Sequence, residues 1–252
     1  MFIFLKSGKI KVEKLLISPC PFNLPLADLN FVSRGRICPP LLKGRCPEWT
    51  EGLTHMNKIK IPVEVSARHI HLSQKDLDKL FGKNYVLYKI KDLSQPGKFA
   101  AKEEVKIITP PSSPTFEKGG RISLHVLGPV RPESQIELSL TDAIRLEVDA
   151  PMVVSGNLKN VKSFIEVKGP KGKAKVKAIV AERHIHCSPE EARAAHIKNG
   201  QKVSMEVVSG RGLVFNNIIV RVDKNFKLSC HIDTDEANAC GLGKVRGVGY
   251  LI

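Results

Sequence analysis

From residue 57 onward the chain alternates apolar and polar residues in short runs broken by glycine and proline. The clearest runs are Ile59–Val65, Glu104–Ile108, Arg121–Val126, Gln135–Leu140, Arg145–Val148, Lys175–Val180, Lys202–Val208, Leu213–Val222 and Lys227–Ile232. A period of two places every second side chain on one face, as in a half-buried strand. Short strands at this spacing predict compact β-barrels or sandwiches with few helices. Helices are expected after Ser73, with Asp76 as its capping partner, and after Ser188, with Pro189 at the first helical position and Glu191 at the third. The polar segment Asp233–Ala239 opens another, and Thr109–Gly120, with three prolines and two glycines, reads as a loop.

Residues 1–56 break the pattern. They carry Pro19, Pro21, Pro25, Pro39, Pro40, Pro47 and the only tryptophan, Trp49, and read as an irregular leader. An upstream start codon ahead of Met56 accounts for them better than a targeting or docking segment, because Lys9–Ile17 offers only a weak amphipathic helix. Met1–Leu5 is followed by Lys6 and Lys9, a poor signal peptide, and no apolar run approaches the roughly 20 residues of a membrane helix. A cytoplasmic protein is expected. Its six cysteines form no C-x-x-C pair, which suits reduced thiols.

The net charge of +15 invites a polyanion as partner. The basic residues are spread along the chain, and aromatics make up only 6%, so no stacking platform for nucleic acid is visible. The charge equally suits phosphate-bearing small molecules.

A self-comparison narrows the chemistry. Val65–Ser73 (V-S-A-R-H-I-H-L-S) matches Val180–Ser188 (V-A-E-R-H-I-H-C-S) at six of nine positions, each copy ending an alternating run and leading into a serine-capped helix. Two related halves follow, a leader of 1–56, a first β-barrel domain over 57–150 and a second over 151–252, with exchange of strands between the halves left open. In an extended strand residues i and i+2 share a face, so His69 and His71 project together, as do His184 and His186. Paired imidazoles in a duplicated frame point to two metal centres or one shared one, with zinc the best fit. His231 is the best remaining histidine, since His125 sits within a strand and His196 within a helical stretch. Glu137 is the candidate carboxylate, and Cys187 and Cys230, next to the candidate ligands, should face the other way as packed thiols.

At this point the sequence resembles the PduL-type phosphate acyltransferases, phosphotransacylases of propanediol utilisation and bacterial microcompartments. The resemblance spans roughly residues 60–252 and rests on V-S-A-R-H-I-H at Val65–His71, L-S-Q-P-G-x-F-A-A at Leu93–Ala101 and V-L-G-P-x-R at Val126–Arg131. E-R-H-I-H at Glu182–His186, G-R-G-L-x-F-x-N at Gly210–Asn217 and H-I-D-T-D-E-A-N-A at His231–Ala239 complete it. It implies a mainly β fold of two similar barrels with a few short helices and the active site between them. It implies two Zn²⁺ per chain, one on His69, His71 and Glu137, the other on His184, His186 and His231, with Arg131 as the active-site arginine. Ser66, Ser155 and Asn238 fall at polar positions expected to line the pocket. The implied partners are coenzyme A or acyl-CoA and phosphate, without membrane or nucleic acid. A homodimer, and residence inside a microcompartment rather than free in the cytoplasm, rest on the resemblance alone.

The implied reaction is acyl-CoA plus phosphate to acyl phosphate plus coenzyme A, with acetyl and propionyl groups as the natural acyl candidates. Two other classes fit the same residues before the resemblance is counted. One is a metal-dependent hydrolase or nuclease, the other a basic nucleic-acid-binding β-barrel module with structural zinc.

Overall fold

The computed structural model describes residues 58–108 and 122–252. The leader and the Thr109–Gly120 loop lie outside the described residues. The remainder belongs to one compact unit and is mainly β, with four short helices.

The strands close into two six-stranded barrels. The first contains β2 (His69–His71), β4 (Phe99–Ile107), β5 (Ser123–Gly128), β6 (Gln135–Leu138), β8 (Phe164–Lys168) and β9 (Lys173–Ala181). They pair in the order β4–β5–β2–β6–β9–β8, and β8 returns to β4. Two short strands, β3 (Lys89–Asp92) and β7 (Met152–Val153), flank it at β4 and β9. The second barrel runs β1 (Lys60–Ser66), β13 (Ser229–Asp233), β10 (His184–Cys187), β12 (Leu213–Val222), β11 (Lys202–Val208) and β14 (Gly247–Leu251), and β14 closes on β1.

The two circuits share one topology. In each, the strand bearing H-I-H pairs parallel with one neighbour (β5 or β12) and antiparallel with the other (β6 or β13). Sheet membership does not follow a division at residue 150. β1 belongs to the second barrel and β7, β8 and β9 to the first. H-I-H is therefore not the end of the strand before it: between β1 and β2, and again between β9 and β10, the chain leaves one barrel and enters the other. This double crossing binds the halves into one unit.

Each barrel interior is apolar because alternate residues point inward. Ile70, Val126, Ile136 and Ala178 pack in the first; Ile185, Val220, Cys230 and Ile232 pack in the second. Burying a side chain of this size contributes roughly 1.5–3 kcal/mol. It follows that the histidines flanking Ile70 and Ile185 project outward. Cys187 and Cys230, both fully buried, are core thiols, and burial raises both above their usual range.

The helices cap the strands that carry the site. α1 (Gln74–Phe81) starts at Ser73, whose Oγ accepts from the Asp76 amide at 3.3 Å. α3 (Pro189–Ala194) has a full capping box between Ser188 and Glu191. α4 (Thr234–Ala239) repeats that box with Asp233 and Glu236. Two expectations are corrected. Arg145–Val148 forms no strand: Ser139 caps α2 (Leu140–Arg145), the Leu146 amide still bonds to Asp142, and Glu147 turns the chain at φ +54°. His196 is not helical, because α3 ends at the Ala195 cap and His196 itself sits at φ +53°.

Candidate functional site

The strand registers assemble two clusters from equivalent positions. His69 lies directly opposite Glu137 on the antiparallel β2–β6 pair, and His184 opposite His231 on β10–β13. With His71 and His186 two residues on, each barrel presents three potential ligands on its outer face. In each trio the ligand atoms all lie within 4.8 Å of one another. A cleft lined by Ser66, Glu137, Leu138, His184, His231 and Asp233 draws on both barrels, so the two outer faces meet there.

Backbone carbonyls orient most of the imidazoles. The Nδ1–H groups of His69, His71 and His184 donate to the carbonyls of Ala67 (2.8 Å), Leu127 (3.1 Å) and Glu182 (2.7 Å). A carbonyl only accepts, so the proton is fixed on Nδ1 and each Nε2 lone pair is left free. In the first cluster Nε2 of His69 and of His71 lies 3.6 and 3.7 Å from the Glu137 carboxylate. In the second, His231 Nε2 meets Ser229 Oγ at 3.0 Å and Glu64 at 3.7 Å, while the buried Nδ1 of His186 has no partner.

The electrostatics follow from this packing. Burial opposes the charge of His69, but the adjoining Glu137 carboxylate outweighs it and holds His69 above its usual range. Burial likewise works to raise Glu137, and His69 overrides it, keeping the carboxylate well below its usual range. Burial drives His71 well down and lowers His184. In the second cluster burial, reinforced by neighbouring cationic groups, lowers His231 to about 4 and His186 to about 2. Neutral imidazoles and an ionised carboxylate are the forms a divalent metal takes as ligands.

Arg131 enters from the loop after β5. Its amide bonds to Leu72, and its guanidinium lies 3.8 Å from Glu137 and 3.2 Å from Ser155 Oγ. Ser155 is buried and donates to Glu137 at 2.6 Å, so it fixes the carboxylate and the arginine together. Ser66 lines the cleft at the end of β1. Asn238 is exposed on α4, the helix that follows the strand carrying His231.

Several contributors went unread in the sequence. Gln135, fully buried, hydrogen-bonds Glu137 and Ser155 and accepts from the Gly156 amide. Its place two residues before Glu137 in the alternating run Gln135–Leu138, which puts both side chains on one face, was the available signal. Gln95 of the L-S-Q-P-G loop reaches into the second barrel and donates to Ser229 Oγ at 2.7 Å, behind His231. Arg221 stands in register beside His186. Periodicity could not find it, since pairing of distant strands is invisible in one chain.

The chain is similar to known proteins over most of the described residues. The phosphate propanoyltransferase family model matches residues 62–243. A phosphate propanoyltransferase of Clostridioides difficile is 44% identical over 186 residues, 73% of this chain and 85% of that relative. One from Salmonella typhimurium is 42% identical over 207 residues, 79% and 92% of the two chains, and one from Lachnoclostridium phytofermentans is 47% identical over 181, 71% and 81%. Among the described residues no helix is long and apolar enough to cross a membrane. A double barrel with two facing His-x-His clusters, matched across most of its length by these relatives, is an acyltransferase belonging to the phosphate propanoyltransferase family.

Proposed function

We propose that the enzyme transfers a short acyl group, propionyl or acetyl, between coenzyme A and phosphate, using two zinc ions held in the cleft. The observation that carries this reading is the pair of three-ligand clusters on barrel faces that share one cleft.

The residues suit the metal. Neutral imidazoles with fixed Nδ1 protons, an ionised carboxylate and one buried imidazole nitrogen without a partner form a donor set for Zn²⁺. His69, His71 and Glu137 would hold one ion, and His184, His186 and His231 the other. Bound there, zinc supplies Lewis-acid stabilisation of negative charge on a thioester carbonyl oxygen or a departing thiolate.

The chain's own residues do the rest. Arg131, held by Ser155 beside Glu137, presents a planar fork of N–H donors that matches two phosphate oxygens, a geometry lysine lacks. Ser66 and Asp233 line the cleft where the acyl carbon must meet the phosphate. A phosphate oxygen forms the new C–O bond, the C–S bond breaks, and the proton lost from phosphate balances the one gained by the coenzyme sulfur. No acyl-enzyme is needed, and Cys187, sealed in the barrel core, is out of reach as a nucleophile.

The test is release of coenzyme A thiol from acetyl-CoA and propionyl-CoA, with and without phosphate and a chelator. Release that needs phosphate and stops with the chelator is expected, and it also ranks the acyl groups. Metal-loaded, folded protein that releases none would overturn the reading and move phosphodiester hydrolysis and nucleic-acid binding to the front.

A further inference from the structure

Arg131, beside Glu137, is not the only arginine that adjoins a ligand cluster. Arg221 lies on β12 directly beside His186 of β10, and in-register neighbours on adjacent strands project from the same face. Its side chain therefore leaves the second barrel on the side of the His184–His186–His231 cluster. Its guanidinium lies 5.9 Å from the Phe226 ring centroid, and that ring packs 4.2 Å from the His186 ring. Lys98 approaches from the first barrel. It precedes Phe99, whose ring fills the space above Gly128, three residues before Arg131.

Both cations are half-buried, and among the described residues neither has a carboxylate within ion-pair distance. Partly desolvated positive charges are normally paired. Here they also oppose one another: burial, then Arg131 and Arg221, lower Lys98, and Arg221 adds to the burial that lowers Arg131. Among the described residues Glu137 is the one anion acting on Arg221, and it is already engaged with His69, His71 and Ser155. Two arginines beside the ligand clusters and a lysine that feels both, with the committed Glu137 as the carboxylate acting on either arginine, leave a place for an external anion.

We propose that Arg221 is a second phosphate-binding arginine, facing Arg131 across the cleft, with Lys98 adding charge at the rim. This rests on the transferase reading for the identity of the anion. The reacting phosphate is favoured over the phosphates of coenzyme A because both arginines adjoin the metal clusters, Arg131 through Glu137 and Arg221 through His186. The coenzyme's own phosphates stand away from its sulfur by the length of the pantetheine arm.

Arg221→Gln, Arg221→Lys and Lys98→Gln would each be assayed for KM of phosphate and of acyl-CoA, for metal content, and for inorganic phosphate binding by calorimetry on metal-loaded protein. Loss of a charge-assisted hydrogen-bond pair predicts a rise in phosphate KM of about 10-fold or more for Arg221→Gln. Arg221→Lys should recover part of it, Lys98→Gln should show a few-fold effect, and acyl-CoA KM and two metals per chain should be retained. A rise in acyl-CoA KM alone would overturn the proposal by giving Arg221 to the coenzyme, and loss of one metal would make it a support for His186. Should Arg221→Gln fail to fold, the lysine variant and Lys98→Gln decide. If wild type shows no transfer at all, the transferase reading fails separately. Calorimetry then judges the anion site, which stands if phosphate binds and Arg221→Gln weakens it, and falls otherwise.

Discussion

Glu137 stands directly across the antiparallel ladder from His69, the same relation that His231 bears to His184 in the other barrel. The two halves have kept one backbone device and changed a single ligand in it. The first cluster carries a carboxylate and two imidazoles, the second three imidazoles. A metal bound to the first cluster would have a formal negative charge among its ligands and one bound to the second would not, which would make the second the stronger Lewis acid.

That difference makes Glu137→Gln informative. The amide keeps the shape and can still meet Ser155, but it removes the anion that holds His69 above its usual range and would ligate metal. Metal content should fall from two ions per chain to one, with transfer reduced by two or more orders of magnitude. Elemental analysis beside circular dichroism checks this. Retention of both ions would dissociate Glu137 from the first site.

Ser155→Ala tests the brace behind that carboxylate. Ser155 donates to Glu137 and also meets Arg131 and Gln135, so alanine leaves three polar groups to rearrange. The expected stability cost is about 1–3 kcal/mol, with a roughly 10-fold loss in kcat and both metals kept. Urea unfolding and steady-state kinetics read the two effects separately. An unchanged kcat would leave Ser155 a structural residue only.

The site was more legible in the sequence than the connectivity around it. Repetition of R-H-I-H exposed four of the six clustered residues, because a strand's period of two dictates that His69 and His71, or His184 and His186, share a face. Glu137 and His231 had a weaker signal, polar residues at the right phase of apolar runs, and needed the family resemblance to become specific. The crossing of β1 into the second barrel left no local trace, since Lys60–Ser66 has the same alternation whichever barrel it joins. Arg145–Val148 failed for a related reason. Alternation over four residues cannot outweigh a serine cap that launches a helix at Leu140.

Ile185 separates barrel stability from the chemistry outside it. It lies between the second pair of histidines but points into the core, fully buried. Ile185→Ala should cost about 2–5 kcal/mol, and Ile70→Ala a similar amount in the first barrel. Because β1 and β9 tie each barrel to the other half of the chain, either variant should unfold the described unit in one transition, monitored by denaturant titration with far- and near-ultraviolet dichroism. Two separated transitions after one substitution would show that the barrels fold independently.

The buried histidines set the acid limit of the metal-free protein. His186 at about 2 and His231 at about 4, with His71 and His184 also lowered, all lie below the ordinary 6.5. Burial is the leading cause in each. As pH falls below 6.5 the unfolded chain binds protons at these positions while the folded chain does not, so folding loses stability. Each such histidine contributes a slope of about 1.4 kcal/mol per pH unit. For His231 the loss is complete near pH 4, and for His186 it continues below. His69 has the opposite sign: its raised folded value gives stability that is full below 6.5 and fades as pH rises through that value. Glu137, held well below its ordinary 4.5, begins to lose its contribution only under that pH. Between pH 6.5 and 4.5 the lowered histidines therefore dominate, and the urea midpoint of chelated protein should drop steeply across that interval. His231→Gln should flatten the drop by about one histidine's slope. A midpoint level across the interval would mean that the imidazoles are already open to water and protons in the metal-free fold.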